Sequence, residues 1–130
     1  MTTEENEAQI PILVVDDAIT MRHTVVLQLD KLGVKADSAA NGIEALRRMR
    51  AYQSYGLILM DIEMPEMDGL QAAAAIRIYE TENQRKPLPI IGMTGGQTRR
   101  ETCIAAGMND ILNKPISLQM LQDLLNRWLV

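Results

Sequence analysis

Residues 57–61, Leu57-Ile58-Leu59-Met60-Asp61, place four consecutive apolar side chains directly before a carboxylate. A short apolar run without polar alternation is typical of a parallel strand that is buried on both faces. Further runs of this kind lie on either side of it in the chain, at residues 12–15, at 34–39 in a weaker form, at 89–93 and at 110–112. We therefore predict a sheet of five buried strands.

A stretch with helical periodicity follows each run, with apolar residues recurring every three or four positions. Gly33 and Gly107 are signals that end two of these helices, and Asn41-Gly42 is a signal that begins another. We predict that the inward positions are Met21, Val25, Leu29 and Leu32 in the first helix, Ile43, Leu46 and Met49 in the second, and Leu118, Leu121, Leu125 and Trp128 in the last, with residues 70–82 and 97–106 as the third and fourth helices. Strands alternating with helices through right-handed crossovers predict the α/β class, with a five-stranded parallel sheet in a doubly wound (βα)5 arrangement.

The length of 130 residues fits a single domain. Residues 1–9 are polar and acidic and have no periodicity, so we expect a disordered tail or linker there. The domain itself is predicted to span residues 10–130.

The composition excludes several classes of function. A net charge of -4 and a pI near 5 argue against direct contact with nucleic acid. The apolar runs are far shorter than the roughly 20 residues of a membrane-spanning helix, and the N-terminus lacks the apolar core of a secretory signal. Cys103 is the only cysteine, which rules out an internal disulfide and a cluster of zinc-binding thiolates. These features predict a cytoplasmic protein in which Cys103 fills space in the core.

Polar residues stand where the predicted strands end. Asp16-Asp17 follow the first strand, Asp61 the third, Thr94 the fourth and Lys114 the fifth. In an open doubly wound sheet the ligand site lies outside the carboxyl ends of the strands, so we expect these side chains to converge. Three carboxylates in one crevice repel one another unless a cation neutralises them, and short acidic side chains suit a hard ion such as Mg2+.

Asp61 is the predicted nucleophile, because it projects from the central strand and Mg2+ needs only one or two carboxylates. Its attack on phosphorus would give an acyl phosphate with negative charge spread over the transferred oxygens. The ammonium of Lys114 and the hydroxyl of Thr94 are suited to stabilise those oxygens. Taken alone, Asp16-Asp17 are also compatible with a solvated pair or a helix N-cap. Their combination with Asp61 and Lys114 favours the metal site.

Four stretches of the chain resemble the receiver family of response regulators, which serves two-component signalling. They are Leu13-Val14-Val15-Asp16-Asp17, the segment 59–69 with the sequence Leu-Met-Asp-Ile-Glu-Met-Pro-Glu-Met-Asp-Gly, Ile91-Gly92-Met93-Thr94, and Asn113-Lys114-Pro115. The resemblance covers about residues 10–130, and the stretches 105–110 and 125–129 look most like receivers of hybrid sensor histidine kinases.

This resemblance implies a flavodoxin-like receiver fold and a phosphorelay function. It implies that Asp61 accepts a phosphoryl group from phosphohistidine, and that Thr94 and Lys114 bind that group. It further implies that Mg2+ is held by the side chains of Asp17 and Asp61, with Asp16 in support, and by the backbone carbonyl of Glu63. The implied partner is a histidine kinase or a histidine phosphotransfer protein docking over the strand-end crevice and the first helix. The oligomeric state is left open.

Two positions depart from the family pattern. The family usually has an aromatic residue three positions before the lysine, where it works with the threonine as a rotamer switch, but this chain has Ile111 there and contains no Phe. The residue after the threonine is commonly Ala, whereas Gly95-Gly96 follow Thr94 here and give the loop more conformational freedom. The usual switch is therefore not expected in its familiar form.

Two other classes of function compete with a phosphoacceptor domain. A Mg2+-dependent phosphatase or phosphotransferase with an Asp nucleophile usually carries a second Asp two residues on and a cap domain, but here Glu63 stands at that place and the chain is too short for a cap. A receiver-like interaction module that never takes phosphate would be favoured by loss of the acidic pair, Asp61 or Lys114, and all are present. His23 is not expected to be a phosphohistidine, because no carboxylate lies next to it as a base.

Overall fold

The computed structural model describes residues 10–51 and 55–129. The tail predicted for residues 1–9 lies outside this part of the chain. Strands and helices alternate along it: β1 (Ile12–Val15), α1 (Ile19–Lys31), β2 (Ala36–Ala39), α2 (Gly42–Ala51), β3 (Leu57–Asp61), α3 (Gly69–Glu82), β4 (Ile90–Thr94), α4 (Arg100–Ala105), β5 (Asp110–Asn113) and α5 (Leu118–Trp128).

The strands form one parallel sheet in the order β2-β1-β3-β4-β5. β3, the strand that ends in Asp61, is therefore central. The predicted α/β class, the five parallel strands and their alternation with helices are confirmed. The strand order reverses direction between β1 and β3, and this is the switch point at which doubly wound sheets bind ligands.

Successive side chains of each strand enter two different cores, because a strand alternates its faces. Leu13 and Ile58 pack in one core with residues of α2 and α3, including Ala45, Met49, Ala72 and Ile76. Val14 and Leu59 pack in the other core with Val25 and Leu29 of α1 and with Leu121, Leu124 and Leu125 of α5. Both faces of the sheet are covered, which explains why its central strands are apolar without alternation.

Local signals fix several helix ends, those at Gly33 and Asn41 as predicted. Gly33 has φ +77° after α1, a conformation that favours glycine. The Asn41 side chain accepts a hydrogen bond from the backbone N–H of Glu44 at 2.8 Å and so begins α2. Asp68 and Gln71 form a reciprocal capping box at the start of α3.

The prediction for the inward face of α2 was partly wrong. Met49 is buried, but Ile43 is 47% exposed, and Gly42 and Ala45 face the core instead. A Cβ atom on Gly42 would lie 2.9 Å from the Met67 sulfur and 2.9 Å from the Ala72 Cβ. The helix therefore approaches α3 through its smallest residues, and this close approach turns Ile43 towards solvent.

Two predicted elements are shorter than expected. α4 begins at Arg100 and not at residue 97, because residues 97–99 belong to the loop after β4. β2 begins at Ala36 and not at residue 34. Cys103 is buried, as predicted for a core filler. The prediction that Leu118 of α5 faces inward was wrong, because this side chain is 40% exposed.

Candidate functional site: an acidic crevice at the strand ends

A cluster of three carboxylates lies at the carboxyl ends of β1 and β3. Val15 is paired with Met60 in the sheet, so Asp16 and Asp61 follow at the same level. One carboxylate oxygen from each of Asp16, Asp17 and Asp61 lies within 4.8 Å of the others. Asp16 and Asp61 are buried, whereas Asp17 is exposed at the mouth of the crevice. The predicted convergence of these residues is present.

The backbone around Asp16 is held in place by local hydrogen bonds. Its Oδ1 atom accepts a bond from the backbone N–H of Ala18 at 2.9 Å, and its backbone carbonyl accepts one from the Arg22 guanidinium at 2.7 Å. Its Oδ2 atom is buried and accepts no hydrogen bond from the described residues. A buried carboxylate oxygen in this condition is costly unless a cation compensates it.

Lys114 supplies the positive charge on the other side of the crevice. Its Nζ atom donates to Asp61 Oδ1 at 2.9 Å and lies 3.6 Å from Asp16 Oδ2. Its backbone N–H donates to the Thr94 carbonyl at 2.7 Å, which ties the ends of β4 and β5 together. The peptide bond between Lys114 and Pro115 is cis. Burial would lower the pKa of Lys114, but its bond to Asp61 and the charges of Asp16 and Asp61 raise it above its ordinary value, so the ammonium form is favoured.

Asp61 is the most perturbed carboxyl group of the crevice. Burial raises its pKa from 3.8 to about 7, because the hydrogen bond and charge of Lys114 offset only part of the effects of desolvation and of neighbouring Asp16 and Asp17. A cation in the crevice would favour the ionised form of the same group. The acidic cluster is therefore compatible with a divalent ion beside Asp61.

The loop after Asp61 returns directly onto the end of β3. A Cβ atom on Gly69 would lie only 2.7 Å from the Ile62 Cα atom, so only glycine fits where α3 begins. The Ile62 carbonyl accepts bonds from the backbone N–H groups of Met64 and Gly69 at 3.1 and 2.9 Å. This tight loop carries Glu63 to the rim of the crevice.

The Glu63 side chain has a role that the sequence did not indicate. Its carboxylate accepts hydrogen bonds from the Thr94 hydroxyl at 2.8 Å, the Thr98 hydroxyl at 2.9 Å and the Gly95 backbone N–H at 3.2 Å. Burial would raise the pKa of Glu63, but these bonds outweigh it and hold the pKa below its ordinary value. No local pattern signals such contacts, because they join two loops that are about thirty residues apart in the chain.

The position of the missing aromatic residue is filled by aliphatic packing. Ile111 is half-buried against the core and is paired in the sheet with Gly92. A Cβ atom on Gly92 would lie 2.7 Å from the Met108 sulfur and 2.8 Å from the Ile62 Cδ1 atom. Ile62 and Met108 therefore occupy the space beside Gly92 on β4 that a larger side chain would need.

His23 is exposed on α1. Among the described residues, none of the helices combines the length and the apolarity needed to cross a bilayer. The Glu63 backbone carbonyl stays a predicted metal ligand.

Comparisons with known proteins agree with this geometry. A family model described as the response regulator receiver domain matches residues 12–126. The chain is 39% identical over 121 residues to a hybrid signal transduction histidine kinase, kinase F of Dictyostelium discoideum, covering 91% of this chain and 11% of that protein. It is 34% identical over 119 residues to the sensor histidine kinase GacS of Pseudomonas protegens, covering 90% of this chain and 13% of that protein. The chain thus spans only a small part of these relatives.

Solved structures show the same fold. The receiver domain of a sensor histidine kinase from Pseudomonas aeruginosa, described with a magnesium ion coordinated in its active site cleft, superposes with a TM-score of 0.79 at 38% identity, covering 93% of this chain and 98% of that one. A receiver domain from Saccharomyces cerevisiae, crystallised with a histidine phosphotransfer signaling protein, superposes with a TM-score of 0.85 at 27% identity, covering 93% and 89% of the two chains. With its doubly wound sheet and its acidic strand-end crevice, this chain belongs to the response regulator receiver domains of two-component signal transduction.

Proposed function

We propose that this receiver domain accepts a phosphoryl group from a phosphohistidine onto Asp61, with Mg2+ bound in the crevice, and changes conformation to signal. The observation that carries this proposal is the position of Asp61, at the end of the central strand, in contact with Lys114 and next to two further carboxylates. The domain acts as a signalling phosphoacceptor and not as an enzyme with its own small-molecule substrate.

The donor groups of the crevice fit Mg2+. They are carboxylate oxygens on short side chains, and one of them, Asp16 Oδ2, is buried without a hydrogen bond from the described residues. In our proposal Asp17 and Asp61 ligate the ion through their side chains, Asp16 supports them, and the Glu63 backbone carbonyl is a further ligand. The ion supplies positive charge that offsets the carboxylates and the incoming phosphoryl oxygens.

The residues of the chain divide the transfer between them. A carboxylate oxygen of Asp61 forms the new bond to phosphorus while the bond from phosphorus to the donor's imidazole nitrogen breaks. Lys114 already contacts Asp61. Its ammonium is therefore close enough to stabilise the negative charge that develops on the phosphoryl oxygens. Thr94, at the end of β4, donates a hydrogen bond from its hydroxyl to another phosphoryl oxygen in the product.

The proposed partner is a histidine kinase or a histidine phosphotransfer protein. Support comes from the hybrid kinases to which the chain is similar and from the yeast receiver crystallised with a phosphotransfer protein. We propose a cytoplasmic location, which partners of this kind support. The net charge of -4 supports the absence of direct contact with nucleic acid.

Intact-mass analysis after incubation with acetyl phosphate tests the proposal. We expect one phosphoryl adduct on the wild-type chain that requires Mg2+ and disappears in Asp61→Asn. Asp68→Asn is the matched control: it changes an acidic residue of the same loop but keeps a side chain that caps α3, so it should form the adduct normally.

Either of two results would contradict the proposal. An adduct that persists in Asp61→Asn would move the acceptor to another residue. No adduct on wild type, together with no binding of beryllofluoride, would favour an interaction module that never takes phosphate.

A further inference from the structure

The Glu63 carboxylate fastens together the loops that follow β3 and β4. Its Oε2 atom accepts from the hydroxyls of Thr94 and Thr98, and its Oε1 atom accepts from the backbone N–H of Gly95. These three bonds hold residues 94–98, which we call the β4 loop, against the segment that carries the phosphoacceptor. Hydrogen bonds to a charged acceptor are stronger than neutral ones, so this attachment is substantial.

The Thr94 hydroxyl already donates one hydrogen bond and accepts another in this arrangement. A threonine hydroxyl has one proton to donate, and here that proton is directed to Glu63 at 2.8 Å. Its oxygen also accepts from the backbone N–H of Gly96 at 3.2 Å, and the side chain is buried. The donor that the proposed function requires at a phosphoryl oxygen is therefore engaged elsewhere.

We propose that Glu63 is a latch on the β4 loop, which opposes the phosphorylated conformation by competing for the Thr94 proton. Thr94 reaches a phosphoryl oxygen on Asp61 only after its hydrogen bond to Glu63 has broken. This inference rests on the proposed function of Asp61. It makes Glu63 a positioning residue, which acts through Thr94 and sets the balance between two arrangements of the loop.

The composition of the β4 loop fits such a movement. Gly95 and Gly96 follow Thr94 directly, and Gly96 has φ +104° with no atom near the position of a Cβ. Such residues allow backbone rearrangement at small steric cost. β5 carries Ile111 and not the aromatic residue that usually responds to the threonine. Among the described residues, the breaking of the bond from Thr94 to Glu63 is therefore the change that would report a movement of Thr94.

The affinity of the chain for beryllofluoride in Mg2+, measured by titration calorimetry, tests the latch. Thr98→Val removes one bond to Glu63 without changing the charge of the site, and we expect about threefold tighter binding. Glu63→Gln weakens all three bonds, and we expect about tenfold tighter binding; threefold and tenfold changes correspond to about 0.7 and about 1.4 kcal/mol. Glu66→Gln is the matched control, since it removes an equal charge from the same loop, and its affinity should stay within about twofold of wild type.

Amide NMR spectra give a second measure that a purely structural brace would not produce. The Gly95 and Gly96 amides donate to Glu63 and Thr94, so both report on the latch. Without ligand, we expect their signals in Thr98→Val and Glu63→Gln to lie between those of free and beryllofluoride-bound wild type. Signals that stay at the free wild-type positions in both variants would overturn the latch.

Each outcome of the titration is decisive. Tighter binding in both variants, with the control unchanged, supports the latch. Wild-type affinity in every variant overturns it and leaves the proposed function intact. Tighter binding in Glu63→Gln alone assigns the effect to charge and also overturns it. If wild type neither binds beryllofluoride nor forms an Asp61 adduct, the proposed function fails and the latch fails with it.

Discussion

At the scale of single residues, Lys114 is the group that keeps Asp61 partly ionised. Both the hydrogen bond and the charge of Lys114 lower the pKa of Asp61, which burial has raised to about 7. In Lys114→Met, which keeps a long side chain but removes the charge, we expect the pKa of Asp61 to rise above that value. Asp61 would then be mostly protonated at neutral pH, and its reaction with acetyl phosphate would slow.

Carbon-13 NMR titration of the Asp61 carboxyl group, with EDTA present, measures this change. Lys86→Met is the control, because Lys86 is an exposed lysine outside the crevice. An unchanged Asp61 pKa in Lys114→Met would show that burial alone sets the pKa and that the contact at 2.9 Å is not maintained in solution.

The sequence predicted part of the site and missed another part for a physical reason. Asp16, Asp17, Asp61 and Lys114 follow strands, and the topology of a parallel sheet brings such residues to one edge whatever their rotamers. The bonds of Glu63 depend on the rotamer of an exposed side chain and on the path of a separate loop. Neither property leaves a periodic signal in the chain.

At the scale of secondary-structure elements, Asp110 joins β5 to the two helices beside it. Its carboxylate accepts hydrogen bonds from Arg100 of α4 at 2.6 Å, from Arg127 of α5 at 2.7 Å and from the Trp128 indole at 3.4 Å. Burial would raise the pKa of Asp110, but these bonds and one from the Ile111 backbone N–H outweigh it and lower the pKa. The ionised form therefore stabilises the fold.

For Asp110→Asn we expect the free energy of unfolding at pH 7 to fall by about 2 kcal/mol, since the bonds to a charged acceptor are lost while both arginines can still reach water. The pKa of the folded state lies below the ordinary value of 3.8. The stabilisation is thus complete above about pH 4 and disappears as the pH falls through the folded-state pKa. The difference between variant and wild type should therefore shrink in acid.

Urea unfolding of both proteins between pH 3 and about pH 7 checks this expectation. Asp123→Asn is a suitable control, because among the described residues Asp123 makes only an exposed bond to Gln119 on the same helix. It should change stability by less than about 0.5 kcal/mol. A difference that stays constant with pH would contradict a role for the Asp110 charge.

The elements themselves were predictable in type and order but less so in orientation and length. Apolar runs and helical periodicity place every strand and helix in the correct sequence. The face of α2 was misjudged because apolarity alone marks Ile43 as an inward residue, whereas close packing of Gly42 on Met67 and Ala72 decides the rotation. The start of α4 was placed too early because Thr98 is engaged by Glu63 in the preceding loop.

At the scale of the whole molecule, the crevice makes the fold less stable than its two cores alone would allow. Asp16 and Asp61 are buried next to a third carboxylate, with Lys114 as the cation in contact with both. Mutual repulsion and desolvation oppose folding when no divalent ion is bound. The proposed function and stability therefore compete at this edge of the sheet.

The pKa of Asp61 is about 7 in the folded state and 3.8 ordinarily, and this difference makes the stability of the fold depend on pH. Between these values the folded chain binds more protons than the unfolded chain, so the Asp61 contribution to stability falls as the pH rises from about 4 to about 7. Asp61→Asn lacks this titration. At pH 8 in EDTA we expect its Tm to be about 5 °C above that of wild type, which corresponds to roughly 1 kcal/mol.

Thermal unfolding of both chains with EDTA and then with saturating Mg2+ tests this last expectation. An ion that binds only the folded state raises the Tm, and it should raise that of wild type more than that of Asp61→Asn, because the variant has lost one anionic ligand. Mg2+ should also reduce the loss of wild-type stability between pH 4 and about pH 7, since it favours ionised Asp61. Equal Tm values for the two chains in EDTA would show that Lys114 already offsets the repulsion, and an equal rise with Mg2+ would place the ion away from Asp61.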